Sequence, residues 1–390
     1  MRSLMAHKSL EEINEKIKKG IAVVVTAEEV IGIVDEMGPK KAAEEVDVVT
    51  TGTFGAMCST GMFINFGHST PPIRMTRVWL NDVPAFAGLA AVDSYIGATE
   101  LSKTRGMEYG GAHVIEDLIA GKDINLYAES YGTDCYPRKE ISTTINKSNI
   151  NQAYMFNPRN AYQNYPAACN MSDRIIYTYM GTLLPNGGNV TYCTAGCLSP
   201  LINDPEYRTI GIGTRVFLGG AQGYVAWEGT QHNPDQERGE NGVPISLAGT
   251  LALIGDIKQM STRFIKAAVY QNYGISMFMG VGIPIPILDE DMIMKTAVKD
   301  SEIFTDIVDK SGHEGVIRRV SYAELRSGSV ELKGRRVQTS PLSSLKVARE
   351  IAALLKEEVK KGEFTLTQPV AGLPRHNTVN KLEIRGNSNE

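Results

Sequence analysis

The sequence has little of what marks secreted, membrane-spanning or nucleic-acid-binding proteins. It contains only five cysteines in 390 residues and no basic-then-apolar leader, so we expect neither a disulfide framework nor secretion. The net charge of −4 and the lack of long lysine or arginine runs argue against nucleic-acid binding. The longest apolar stretch, residues 275–288, contains two prolines and is too short to span a bilayer. These absences predict a cytoplasmic protein with no membrane or nucleic-acid partner.

The sequence also lacks a clear nucleotide-binding loop. Residues 211–213 and 219–223 are rich in glycine, but neither run is a GxGxxG that opens a helix or a loop that ends in GK[ST]. Tight packing between strands is the preferred interpretation of both runs, and a nucleotide-dependent enzyme is only a distant alternative. With 42% hydrophobic and 22% charged residues, the chain can bury a substantial core.

The N-terminal segment predicts alternating helices and strands. Ser9 and Glu12 form a capping-box pattern ahead of an apolar helical face, and a β-branched strand follows over residues 21–25. A short helix over residues 39–45 and a strand over residues 46–50 come next. This alternation indicates an α/β opening.

The rest of the chain has a different texture. Residues 52–242 are dense in glycine, proline, asparagine and tyrosine, which predicts short strands and long ordered loops, one of them over residues 154–165. Helical spacing returns over residues 245–273, strands are predicted around turns over residues 322–338, and an amphipathic helix runs from Val347 to a stop at Gly362.

We therefore predict an α/β fold, with mixed α+β as the variant. Residues 1–365 would form one large catalytic domain that has a mixed sheet and long glycine-rich loops. Residues 366–390 would form a polar C-terminal tail.

Cys58 lies in a run of small residues, 51–61, that follows a predicted strand. In such a loop backbone N–H groups converge, which favours a thiolate. The alternative is a tight turn that packs a buried thiol.

Cys135 lies beside residues that can support thiol chemistry. Arg138 can stabilise a thiolate or grip a substrate carboxylate, and Asp134 can hold that arginine or relay a proton. Upstream, residues 109–113 form another glycine-containing turn that ends in a histidine. The candidate residues around Cys135 and this turn are Thr133, Asp134, Arg138, Gly110, Gly111 and His113, with His68 as a second proton carrier.

Cys169, Cys193 and Cys197 form a separate constellation. The step from Cys193 to Cys197 differs from the spacing of zinc ribbons and ferredoxins, so the pattern specifies a metal site only weakly. A 4Fe–4S cluster on these three thiols stays open as an alternative, and no cofactor is certain.

Several strings spread over almost the whole chain resemble one family. They are 11–17, 25–29, 55–59, 109–111, 132–138, 157–160, 199–205 and 229–232. They are similar to the homocysteine-biosynthesis family of methanogenic archaea and some anaerobic bacteria, whose studied activity is L-aspartate semialdehyde sulfurtransferase. The chain resembles the form without the C-terminal CBS domains that many members carry.

The resemblance implies conversion of aspartate semialdehyde and sulfide to homocysteine, with two electrons from a separate ferredoxin-like protein. Two cysteines of the family correspond to Cys58 and Cys135, and thiol or persulfide exchange between them would carry the sulfur. Arg138, Gly110, Gly111 and Thr133 would then bind the substrate, and His113 and Asp134 would move protons. A homodimer is expected. An iron–sulfur-dependent sulfurtransferase and a non-enzymatic sulfur or cluster carrier are the alternatives.

Overall fold

The fold is that of a computed structural model, which describes residues 7–383. Within this range no helix is long and apolar enough to cross a membrane. The helices of the described residues are α1 (Leu10–Lys18), α2 (Glu29–Met37), α3 (Pro39–Glu45), α4 (Gly111–Ile119), α5 (Pro200–Asn203), α6 (Glu290–Thr296), α7 (Tyr322–Arg326) and α8 (Leu345–Lys360).

Strands outnumber helices and most are short. In chain order they are β1 (Val24–Thr26), β2 (Val48–Thr50), β3 (Thr53–Ala56), β4 (Gly61–Asn65), β5 (Arg77–Leu80), β6 (Val83–Ala85), β7 (Asp93–Gly97), β8 (Leu101–Ser102), β9 (Gly106–Gly110), β10 (Ile124–Glu129), β11 (Glu140–Ile145), β12 (Gln152–Asn160), β13 (Ala167–Cys169), β14 (Ile176–Thr178), β15 (Gly181–Leu183), β16 (Asn189–Tyr192), β17 (Gly211–Ile212), β18 (Arg215–Leu218), β19 (Ala221–Glu228), β20 (Leu251–Asp256), β21 (Ile265–Tyr270), β22 (Gly274–Gly282), β23 (Pro284–Pro286), β24 (Phe304–Asp309), β25 (Val316–Ser321), β26 (Ser329–Leu332), β27 (Arg335–Pro341) and β28 (Ala371–Gly372).

One nine-stranded antiparallel sheet forms the centre of the molecule. Its strand order is β21-β22-β18-β19-β20-β12-β4-β7, and β3 pairs with β22 off this path. A six-stranded mixed sheet has the order β25-β24-β13-β16-β27-β26, and a four-stranded sheet the order β11-β10-β5-β6. The mixed α/β class predicted from the sequence is confirmed.

The N-terminal prediction is confirmed in its main features. The Ser9–Glu12 capping box is present on both sides, because each residue's side chain accepts a hydrogen bond from the other's backbone N–H. β1 and β2 pair in parallel and are joined by α2 and α3, as the alternation predicted. The first strand is shorter than predicted, since pairing begins only at Val24.

The prediction of helical structure over residues 245–273 is wrong. Its central part is β20, which lies between β19 and β12, and β21 follows. The first half of β20 is buried at every position, so its apolar residues do not alternate as they would in a half-exposed strand. A short apolar run of this kind does not distinguish a helix from a central strand.

Two other segments also differ from prediction. The loop expected over residues 154–165 is for most of its length β12, which bulges against β20 near its end. The strand expected from Tyr322 begins as helix α7, because Ser321 and Glu324 make a capping box there. The strands β26 and β27 follow as predicted.

Helix α8 is confirmed. Its N-cap Ser344 accepts a hydrogen bond from the Val347 backbone N–H, and Ile351 and Leu355 are fully buried on its apolar face. That face packs on β1, β3 and β22, which fixes the back of the segment carrying Cys58.

The predicted C-terminal tail contacts the domain over part of its length. β28 pairs with β17, and the Asn377 side chain donates a hydrogen bond to the His232 carbonyl oxygen. The end of the predicted tail, residues 384–390, lies outside the described range. The division at residue 365 stays a prediction.

Candidate active site

A cavity of about 750 Å³ opens where the central sheet meets the six-stranded sheet. Its wall combines two thiols, one arginine and a group of tyrosines. The residues used below are Cys58, Cys193, Arg159, Gln231, Tyr162, Tyr165, Tyr179, Tyr270 and Tyr273. A concave site with a few convergent polar groups is the usual form of a small-molecule site.

Cys58 is held in a tight turn between β3 and β4. The Met57 backbone N–H donates to the Met277 carbonyl oxygen at 2.7 Å, and the Thr60 hydroxyl closes the turn on the Met57 carbonyl oxygen at 2.7 Å. The Cys58 Sγ lies 3.2 Å from the hydroxyl of Ser276, which is fully buried on β22. The thiol is therefore positioned by the sheet and faces the cavity.

Cys193 lies at the end of β16 and reaches the same cavity from the six-stranded sheet. Burial raises the pKa of its thiol to about 11, while a hydrogen bond from the Ala56 backbone N–H acts in the opposite direction. The thiol is thus predominantly protonated at neutral pH.

Arg159 lies on β12 and supplies a positive charge to the cavity wall. Its Nε donates to the Thr230 hydroxyl at 3.1 Å and its Nη1 to the Gln231 side-chain oxygen at 2.7 Å. Both partners are neutral, and among the described residues no carboxylate forms an ion pair with it. An arginine held in this way can bind a ligand carboxylate.

Asn157 connects the arginine to the Cys58 turn. It is fully buried, and its side-chain oxygen accepts hydrogen bonds from the Ser59 hydroxyl at 3.2 Å and the Arg159 backbone N–H at 2.9 Å. Its amide donates to the Thr60 hydroxyl at 2.8 Å. One buried amide thus fixes the turn that carries the thiol relative to the strand that carries the guanidinium.

The tyrosines provide protonated hydroxyl donors. Burial raises the pKa of Tyr162 to about 12, and it also raises the pKa of Tyr165 and of Tyr270. The Tyr270 hydroxyl is buried and has no hydrogen-bond partner among the described residues. A buried donor without a partner is costly, so a ligand oxygen in the cavity would satisfy it.

Cys135 is exposed and does not line the cavity. Its Sγ lies 3.5 Å from the Thr133 hydroxyl, and Arg138 donates to the carbonyl oxygens of Thr70 and Pro71 at 2.8 and 3.0 Å. These contacts join its loop to residues 70–71, in the segment that follows β4. Asp134 is exposed in the same loop, and the ring of His68 stacks on Tyr136 there.

The predicted glycine turn is also outside the cavity wall. A Cβ on Gly110 would lie 2.1 Å from the Glu100 carbonyl oxygen, and one on Gly111 would lie 1.8 Å from the Gly97 carbonyl oxygen. Both glycines therefore permit close backbone packing at the start of α4. His113 accepts a hydrogen bond from the Gly110 backbone N–H at 3.2 Å, and burial lowers the pKa of its imidazole.

The structure does not bring the three candidate cluster cysteines together. Cys169 and Cys197 are buried in the six-stranded lobe, where burial raises the pKa of each thiol to about 12, whereas Cys193 faces the cavity. No group of three or more His, Cys, Asp or Glu side chains in residues 7–383 is arranged to hold a metal ion. Thiols kept protonated and apart do not fit a 4Fe–4S cluster.

Sequence reasoning therefore found Cys58 but missed most of the cavity wall. Arg159 and Gln231 lie in two of the strings that resemble the family, residues 157–160 and 229–232. The resemblance assigned no role to either residue. Tyr162, Tyr165 and Tyr179 contributed only to the composition of the middle segment, and Tyr270 and Tyr273 lie in the stretch predicted to be helical. Their convergence depends on β12, β21 and β22, which were not predicted as neighbours.

The sequence profile of a family described as "Homocysteine biosynthesis enzyme, sulfur-incorporation" matches residues 22–366 of the chain. A Methanosarcina acetivorans protein named L-aspartate semialdehyde sulfurtransferase is 56% identical over 97% of this chain and 74% of its own length. A Methanocaldococcus jannaschii protein of the same name is 52% identical over 95% of this chain and 74% of its own length. An uncharacterised Methanothermobacter thermautotrophicus protein is 30% identical over 84% of this chain and 74% of its own length. No solved structure matches the chain.

Proposed function

The chain belongs to the homocysteine biosynthesis enzyme family of sulfur-incorporating proteins, and from that premise we propose that it is an L-aspartate semialdehyde sulfurtransferase. It would convert L-aspartate semialdehyde and sulfide, with two electrons from an external reductant, into L-homocysteine. As a biosynthetic enzyme of small metabolites it would work in the cytoplasm.

The observation that carries the proposal is the placement of Cys58 and Arg159 in one cavity. Aspartate semialdehyde has an aldehyde at one end and an amino-acid carboxylate at the other. Arg159 has neutral partners on two of its nitrogens and is available to a carboxylate. Anchoring the carboxylate there would direct the aldehyde toward the thiol, because Asn157 fixes the two protein groups relative to each other.

The tyrosine hydroxyls support the carbonyl chemistry. Addition of sulfide to an aldehyde places negative charge on the carbonyl oxygen, and a positioned O–H donor stabilises that charge. Tyr270 is suited to this role, since its hydroxyl is buried, protonated and without a protein partner in the described part of the chain. Loss of water then leaves a thioaldehyde, which needs two electrons and two protons to become the thiol.

A separate ferredoxin-like protein would supply the electrons, as the resemblance to the family suggests. Cys135 is the second family cysteine, and we assign it to exchange of sulfur or electrons with that external donor, which its exposure permits. Direct exchange with Cys58 would require its loop to approach the cavity, which Cys135 does not line. We expect a homodimer in solution.

An anaerobic assay tests the proposal. Wild-type protein, aspartate semialdehyde, sulfide and a small reductant should yield homocysteine, and the Cys58→Ala variant should not. Cys169→Ala is the matched control, because Cys169 is a buried thiol remote from the cavity. No turnover by folded wild type would overturn the assignment, and sulfane sulfur retained on that inactive protein would favour the carrier alternative.

A further inference from the structure

Cys193 is a second thiol in the Cys58 cavity and has no part in the proposal above. Cys169 and Cys197 are buried and do not line the cavity, whereas Cys193 is partly exposed and lines it. Cys193 thus faces the same cavity as the thiol that we propose reacts. The contacts around Cys193 bear on whether it takes part in the chemistry.

The seat of Cys193 is built against the segment that carries Cys58. A Cβ built on Gly55 would lie 3.1 Å from the Cys193 Sγ. Glycine at position 55 thus leaves the room that the sulfur occupies. The backbone N–H of Ala56, the next residue, acts to lower the pKa of the Cys193 thiol, against the effect of burial. The Ser343 hydroxyl donates to the Thr194 carbonyl oxygen at 2.9 Å and accepts from the Thr194 N–H at 3.2 Å, which fixes the backbone beside the thiol.

Cys193 therefore packs against the same segment, residues 55–58, that carries Cys58. Cys58 follows Gly55, whose Cα faces the Cys193 sulfur, by three residues, so the two Cα atoms of Gly55 and Cys58 lie within about 11 Å of each other. Besides burial, the charge of the Cys58 thiolate is among the causes that raise the pKa of Cys193. Cys135, by contrast, does not line the cavity and lies in an exposed loop that contacts residues 70–71. Rotation of two side chains is a much smaller movement than the transfer of a loop.

We propose that Cys193 is the resolving thiol of the cavity, which releases the product sulfur from Cys58 by forming a Cys58–Cys193 disulfide. The inference rests on the proposed function and deepens it. It concerns only the thiol partner of Cys58 within the cavity and leaves the role of Cys135 toward external donors in place.

The steps balance in atoms and electrons. Aldehyde and hydrogen sulfide first give a thioaldehyde and water. The Cys58 thiolate then adds to the thioaldehyde sulfur, so that an S–S bond forms and the carbon takes the electron pair and a proton. Cys193, after losing its proton, attacks the Cys58 sulfur, and homocysteine leaves as its thiolate.

In this sequence the two thiols are oxidised to a disulfide and the substrate carbon is reduced by two electrons. The external reductant then returns two electrons and two protons to the disulfide. The raised pKa of Cys193 fits this order, since a thiol that stays protonated does not compete with Cys58 for the thioaldehyde sulfur. It reacts only once the adjacent disulfide bond is present.

A single-turnover experiment without external reductant tests the inference. Anaerobic, fully reduced wild type is mixed with aspartate semialdehyde and sulfide, and released homocysteine and cysteine linkages are measured by mass spectrometry. We expect up to one homocysteine per chain and a Cys58–Cys193 disulfide. Cys193→Ala should release at least tenfold less and should carry homocysteine as a mixed disulfide on Cys58, which a small thiol then frees.

Cys197→Ala is the matched control, because it removes a buried thiol four residues away from Cys193, and it should behave like wild type. Free release of homocysteine by folded Cys193→Ala, or a Cys58–Cys135 disulfide in wild type, would overturn the inference. If Cys193→Ala does not fold, the inference is tested by which two cysteines form the disulfide in the wild-type protein. Failure of the proposed function is separate, since wild type would then form no homocysteine even with reductant present.

Discussion

The Cys58 turn and the Cys135 loop are alike in sequence and unlike in structure. Both thiols stand among glycine and threonine residues in tight turns. Cys58 is fixed between β3 and β4 against a buried serine and faces a cavity, whereas Cys135 is exposed on a loop outside the cavity wall. A short sequence motif thus identifies a residue that can react. The chemical role of that residue depends on the side chains that lie within a few ångströms of it.

The strongest test of this comparison replaces each thiol in turn. Cys58→Ala should lower the rate of homocysteine formation by roughly 10³-fold or more, because it removes the thiol that we propose reacts with the substrate. Cys135→Ala should lose far less activity when sulfide and a small reductant are supplied, and should lose more when a protein donor is required. Equal losses under both conditions would place Cys135 in the chemistry at the cavity.

Thiol alkylation sharpens the comparison without any variant. The pKa of Cys193 is raised from 9.0 to about 11 by burial, so near pH 8 its thiolate fraction is roughly 100-fold lower than that of an ordinary thiol. Exposed Cys135 should react first with iodoacetamide, and labelling of Cys193 should rise about tenfold per pH unit up to that pKa. Peptide mass spectrometry over a pH series measures both rates. Equal labelling of the two cysteines at pH 8 would contradict the raised pKa of Cys193.

The two arginines test which region binds substrate. Arg159→Gln should raise the KM for aspartate semialdehyde by about 10- to 100-fold, the effect of losing a charged hydrogen bond to a carboxylate. Arg77→Gln, which changes an exposed arginine on β5, is the matched control. If Arg138→Gln raises KM and Arg159→Gln does not, the carboxylate binds at the Cys135 loop.

The smallest expected effect concerns Tyr270. Tyr270→Phe should lower kcat by about tenfold, because it removes one donor to the developing oxyanion. It should leave the thermal midpoint unchanged or slightly higher, since the hydroxyl has no hydrogen-bond partner in the described structure. Tyr154→Phe on the exposed face of β12 is the control. A fall in stability with unchanged kcat would mean that the hydroxyl has a structural role.

Local signals in the sequence predicted the ends of the molecule well. The capping box at Ser9 and the amphipathic face of α8 are confirmed because both depend on neighbours three or four residues apart. The central strand β20 was mistaken for a helix, since it is flanked by strands on both sides and its first residues are buried on both faces. Its identity depends on partners nearly 100 residues away in β12, which a short window does not include.

The sequence by itself determined the family and the α/β class and predicted Cys58 as a reactive thiol, because each depends on contiguous residues. Only the tertiary structure decided which groups share the cavity. Arg159, Tyr270 and Cys193 come from three separate strands or strand ends, and antiparallel pairing and sheet packing bring them beside Cys58. The same packing places Cys135 outside the cavity. Such proximities arise from long-range contacts, which leave no regular spacing in the sequence.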